Sequence, residues 1–156
     1  MSKTLVAYFS ATGATRRTAM KIAELLKADT FEIKPAIEYT AKDLVWTDKN
    51  SRSSQEMHND NYRPPILNKL PNPQDYDTIL IGFPIWWYKA PTIINTFIEE
   101  TRLEGKIIYI FATSGATPVD KSFKDLKRKY HDHRPGPGIS VLYLADEGLH
   151  VPADEL

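Results

Sequence analysis

The chain has 156 residues, 42% hydrophobic and 26% charged, with 20 basic and 20 acidic side chains and no formal net charge. This is a globular composition with enough length for one sizeable core, and it lacks the basic excess that marks a nucleic-acid binder. Cysteine is absent, which excludes disulfides, thiolate catalysis and Cys-ligated metals; no apolar run nears the ~20 residues of a membrane span, and no signal-peptide pattern follows Met1, so the expected setting is cytoplasmic, with no membrane partner.

Thr4–Phe9 is an aliphatic and aromatic run that reads as a buried strand. It stops at Ser10-Ala11-Thr12-Gly13-Ala14-Thr15. A helix pattern then covers Ala14–Lys27, with Ala19, Ile22, Ala23 and Leu26 at helical spacing. Asp29–Lys34 reads as a short strand closed by Pro35, and Thr40 as the cap of a short helix from Ala41 to Trp46. Asp48–Asn61 is polar and aperiodic, a connection long enough to hide a helical piece near Ser54–Asn59.

Asp77–Phe83 is the clearest buried strand. Pro84-Ile85-Trp86-Trp87-Tyr88 follows it, and then a helix that starts near Pro91 and runs to Glu100, burying Ile94, Phe97 and Ile98. Lys106–Ala112 is the next strand, and Thr113-Ser114-Gly115-Ala116-Thr117-Pro118 a polar loop. Val119–Tyr130 reads as a helix with Phe123, Leu126 and Tyr130 inward, and Ile139–Leu144 as the last strand. The basic stretch Lys121–Arg134 reads as a solvated helix face.

Strands alternate with helices, and the strands are continuous apolar runs. That pattern predicts a single α/β domain over residues 1–156, a doubly wound five-stranded parallel sheet in the order 2-1-3-4-5. After the last strand only Ala145–Leu156 remain, so the closing C-terminal helix is expected to be truncated to the turn at Pro152–Leu156. The face it would cover is then open, covered by the long connection or covered by a second copy. The expected state is a monomer or homodimer.

Ligand sites in such sheets lie at the carboxyl ends of the strands near the switch point. Three loops meet that description. Ser10, Thr12 and Thr15 with Gly13 and Ala14 set hydroxyls and a flexible backbone at a helix N-terminus, where unpaired amides and the helix dipole favour a phosphate. The same residues also serve as ordinary N-caps and turn formers. Arg16 and Arg17 add positive field or simply form a solvated first turn. The turn has no Lys, so it is not a Walker loop. Pro84, Ile85, Trp86, Trp87 and Tyr88 make a flat apolar wall suited to a planar heterocycle; consecutive aromatics cannot all face inward. Thr113, Ser114 and Gly115 supply amides and hydroxyls for a polar edge. The histidines His58, His131, His133 and His150 lack ligand spacing, so no metal is expected.

Together these loops resemble those of the flavodoxins, in the branch whose second loop reads Pro-Ile-Trp-Trp. Tyr39–Leu44, Asn50-Ser51-Arg52 and Arg63-Pro64 also look like that branch, and the resemblance spans about residues 3–145. It implies non-covalent FMN, with the phosphate on amides 12–15 and the hydroxyls of Ser10, Thr12 and Thr15. It also implies single-electron shuttling between redox partner proteins, a reductase and an acceptor. The alternative uses are an FMN-dependent NAD(P)H:quinone or azo reductase, and a cofactor-free binding module. The chain departs from the branch at Tyr88, where Gly is usual, and in being neutral where electron-shuttling flavodoxins are acidic.

Overall fold

The computed structural model describes residues 3–103, 105–113 and 120–130, with three short strands beyond them. Strand β1 (Thr4–Tyr8) leads into helix α1 (Ala14–Leu26) and strand β2 (Asp29–Glu32). A one-turn 3-10 helix at Lys42–Leu44 and the short helix α2 (Arg52–Met57) occupy the long connection. Strand β3 (Thr78–Pro84), helix α3 (Thr92–Glu100), strand β4 (Ile107–Thr113), helix α4 (Asp120–Tyr130) and strand β5 (Ser140–Val141) complete the winding.

The sheet order is β2-β1-β3-β4-β5 with every pairing parallel, as the alternation predicts. Alternate residues of β1 feed two cores. Leu5, Ala7 and Phe9 join Ile79, Ile81 and Phe83 under Ile93, Ile94 and Phe97 of α3 and Leu126 of α4. Val6 and Tyr8 join Leu80 and Phe111 under Ala19, Ile22 and Ala23 of α1. The long connection covers the α3–α4 side, where Tyr39, Ile66, Leu70 and Tyr76 pack against the first core. It thus takes the place of a crossover helix between β2 and β3.

The last expected strand divides. Ser140–Val141 pairs with β4, whereas Tyr143–Ala145 (β6) pairs antiparallel with Gly148–His150 (β7). Two different pairings, one with β4 earlier in the chain and one with the segment that follows directly, divide the expected strand, and periodicity alone does not distinguish them. The closing turn at 152–156 lies outside the described residues.

The hidden helix is real and begins earlier than expected. Ser51 caps it, its side chain accepting from Ser54 N–H. Among the described residues no helix is long and apolar enough to cross a membrane.

Candidate functional site

The switch between β1 and β3 brings the first two expected loops and Thr113, where the third begins, to one edge. Phe9 N–H donates to Gly82 O at 3.0 Å, and Ile85 N–H donates to Thr113 O at 3.1 Å. Thr15 Oγ1 and Thr113 Oγ1 are 2.8 Å apart. The carboxyl ends of β1, β3 and β4 are therefore bonded into one surface.

In the first loop, Gly13 sits at φ +99°, a conformation open to glycine and strained for other residues. Ser10 Oγ accepts from Gly13 N–H at 3.0 Å and from Arg16 N–H at 3.2 Å. With both lone pairs engaged, its hydroxyl hydrogen is left to donate outward. The amides of Thr12, Ala14 and Thr15 meet no acceptor among the described residues. The first turn of α1 holds no acidic residue. Amides, helix dipole and charge thus all favour an anion there.

The individual side chains divide the work. Thr12 is exposed, while Thr15 is buried and turned to Thr113. Arg16 pairs with Glu32, so its charge is spent on the neighbouring strand. Arg17 lies by the loop instead, its guanidinium 3.5 Å from where a Cβ on Gly13 would stand. The Arg doublet was the only sequence signal for this cation.

The second loop closes on itself as a tight turn. Trp86 N–H donates to Lys89 O at 2.9 Å and Lys89 N–H to Trp86 O at 3.0 Å. Trp87 and Tyr88 between them have φ +48° and +64°. Two-residue turns of this kind need positive φ at both central positions, which is why Asn-Gly is their usual sequence. Bulky aromatics here store backbone strain.

The turn also sorts the aromatics. Trp86 is half-buried, edge-on to Phe9 at 5.7 Å and to Tyr39 at 5.4 Å. Trp87 lies edge-on to His58 at 5.9 Å, and Tyr88 is exposed. Pro84 and Ile85 are half-buried at the end of β3. Ser114 and Gly115 lie outside the described residues, so the third loop is represented by Thr113.

The long connection holds the wall from behind. Tyr39 is edge-on to Phe9 and carries Arg52 on its ring, 3.8 Å from the centroid. Its hydroxyl donates to Glu56 Oε1 at 2.5 Å, and Arg52 Nε donates to Glu56 Oε2 at 2.9 Å. Burial, reinforced by the Glu56 carboxylate, pushes the Tyr39 hydroxyl above the ordinary tyrosine range. Phe9, Tyr39 and His58 thus belong to the site although no local spacing ties them to Trp86 or Trp87. Ser53 on α2 and Thr92 on the first turn of α3 are buried hydroxyls with no partner among the described residues. No metal-ligand cluster occurs among those residues.

A doubly wound sheet with an anion-ready loop and an aromatic wall at its switch point defines a nucleotide-binding class of α/β protein. The sequence model of the flavodoxin family matches residues 3–142, and the chain belongs to that family. The chain is 46% identical to a candidate flavoprotein from Bacteroides eggerthii, over 92% of this chain and 89% of that one, with a TM-score of 0.87. It is 49% identical to another from Bacteroides uniformis, over 93% and 92%, with a TM-score of 0.85. A flavoprotein from Lactobacillus acidophilus, solved in complex with FMN, shares the fold at 23% identity, 92% and 93% coverage and a TM-score of 0.73. No curated protein matches the sequence.

Proposed function

We propose that this protein binds FMN at the three-loop edge and exchanges single electrons with partner proteins through it. The observation that carries the reading is the union of an amide-rich, carboxylate-free helix start with an aromatic turn through Thr113. FMN has a phosphate at one end and a planar heterocycle at the other, and the two loops answer those two chemistries. The L. acidophilus relative, solved with FMN, supports the same assignment.

The first loop fits the phosphate: amides of Thr12, Ala14 and Thr15, the hydroxyls of Ser10 and Thr12, and Arg17 beside them. Of Thr15 and Thr113 one hydroxyl donates to the other, and the one that accepts keeps its own hydrogen for the same end of the ligand. Trp86, Trp87 and Tyr88 would flank the ring, while Ser114 and Gly115 would bond its polar edge. Bound flavin supplies the redox chemistry. The chain's part is to hold it, to shield it with apolar rings and to set its potential by that shielding.

Titration of purified protein with FMN and with riboflavin tests the reading. FMN absorption should shift on binding, with riboflavin bound at least about 100-fold more weakly, because charge-assisted bonds to the phosphate are lost. Failure to bind FMN at micromolar concentration overturns it in favour of a cofactor-free binding module. Fast NAD(P)H oxidation with added quinone or azo dye, without a partner reductase, would assign the quinone or azo reductase activity instead.

A further inference from the structure

We infer that the outer face of α4, with Tyr88 at its start, is the docking surface for a redox partner protein whose own surface is acidic. This rests on the flavin reading of the adjoining turn. The chain as a whole is neutral, yet α4 packs five basic and two acidic residues into 11 positions. Lys121, Lys124, Lys127 and Arg128 are exposed. The Asp125 carboxylate is almost fully buried and shared by Arg128 at 2.9 Å, Lys129 at 3.2 Å and Lys89 at 3.8 Å. Asp60, which faces the helix from the long connection, is taken by Lys129 at 2.6 Å and Lys89 at 3.8 Å. Asp125 is turned inward and paired, and the half-exposed Asp60 is paired with Lys129 and Lys89; among the described side chains the outward face of the helix carries Lys121, Lys124, Lys127 and Arg128 and is cationic.

Helix stability does not account for this pattern. Lys127, Arg128 and Lys129 lie in the last turn, where the helix dipole favours them. Lys121 lies in the first turn, where the dipole opposes it, and Lys124 in the middle, where the dipole lends no support. Lys121 instead stands over the Tyr88 ring, 5.2 Å from its centroid. Buried Ser122 donates to Tyr88 O at 3.0 Å and locks the turn to the helix. An aromatic ring that is 57% exposed and rimmed by cations has the make-up of a protein–protein anchor.

The geometry also selects the partner. Lys121 to Arg128 spans about 10 Å of helix, too spread for one phosphate. Leu126 and Phe123 face the core, so α4 offers no apolar stripe to a bilayer. An acidic protein surface matches the remaining chemistry, and complementary charge acts chiefly on the rate of encounter.

The test begins with FMN-loaded protein, loading being checked by absorption. One electron then passes from the reduced iron–sulfur cluster of an acidic plant-type ferredoxin to the flavin, followed by stopped flow. The second-order rate should fall steeply with added salt. Lys121→Glu, Lys124→Glu and Lys127→Glu combined should lower it at least about tenfold at low salt with FMN affinity unchanged. The reverse transfer, from reduced flavin to basic cytochrome c, should quicken in the same variant. An amide NMR titration with redox-inert poly-L-glutamate reads the surface without flavin; shifts should concentrate at Tyr88, Lys121, Lys124 and Lys127. A salt-insensitive ferredoxin rate, an unchanged rate in the triple variant, or shifts scattered over all lysines would overturn the inference. So would binding to phosphatidylserine vesicles lost in the triple variant while its ferredoxin rate is kept. If FMN fails to load, the flavin reading falls by itself, and the poly-L-glutamate arm still decides whether this face binds acidic chains.

Discussion

Thr15 and Thr113, 98 positions apart in the chain, join their hydroxyls at 2.8 Å and so tie the first turn of α1 to the end of β4. Thr15 is buried and Thr113 half-buried. Replacing one hydroxyl by a methyl strands the other; replacing both removes the mismatch. Thr15→Val should therefore cost about 1–2 kcal/mol of unfolding free energy, and Thr15→Val with Thr113→Val less than the sum of the two single changes. Urea denaturation of the four proteins measures that coupling, and additive costs would show that the bond carries none.

The Trp87–Tyr88 turn yields a second expectation. A non-glycine residue in the left-handed region costs roughly 1–2 kcal/mol. Glycine removes that cost but adds about 0.5–1 kcal/mol of chain entropy on unfolding. Tyr88 is exposed, so little packing is lost. Tyr88→Gly should raise stability by up to about 1 kcal/mol, seen as a higher urea midpoint at unchanged m-value. A lower midpoint would show that contact with Lys121 outweighs the strain.

The same turn shows where sequence reading stops. The strands and helices before residue 131 were legible within a few residues, because Thr78–Pro84 is apolar throughout and Ala19, Ile22 and Ala23 keep helical spacing. The meeting of the first two loops with Thr113 was legible because a parallel sheet brings its strand ends together. That Trp87 and Tyr88 both take positive φ was not, since propensity argues against it; closure between Trp86 and Lys89 overrides local preference. The Phe9–Tyr39–Trp86 cluster was invisible for another reason. Its three rings come from three separate elements, and only the folded connection brings Tyr39 up to the other two. Thr15 likewise looked like a free hydroxyl until β4 supplied Thr113.

Several tyrosine hydroxyls are bonded to carboxylates, and this gives the protein an alkaline limit. Partial burial and its bond to Asp29 push Tyr76 from 10.0 up to about 12. Burial and Glu56 raise Tyr39, and burial and Glu99 raise Tyr130, beyond that. The unfolded chain loses these protons near pH 10, while the folded chain keeps them. In that window the folded state binds more protons, so stability falls as pH rises. It should be full below about pH 10 and decline through about pH 12. Urea midpoints across the range, beside phenolate absorbance, check this; Tyr39→Phe should make the decline shallower.

Gly82 gives the sharpest structural prediction. It lies in the middle of β3, where glycine weakens a strand and needs a reason. The reason is Phe111 on the neighbouring strand: a Cβ at Gly82 would stand 2.1 Å from Cζ and within 2.7 Å of two more ring carbons. The ring is fully buried in the core beneath α1, beside Val6, Leu80 and Ile22, so it has no room to swing aside. Gly82→Ala should therefore destabilise by about 3 kcal/mol or more, at the upper end for overpacking, although alanine is otherwise the milder strand residue. Phe111→Leu in the Gly82→Ala background vacates the clashing ring edge and should recover part of the loss, whereas Phe111→Leu alone should destabilise by leaving space. Opposite signs for one substitution in two backgrounds would identify the ring contact as the cause, and a cost from Phe111→Leu in both would place it in the backbone instead.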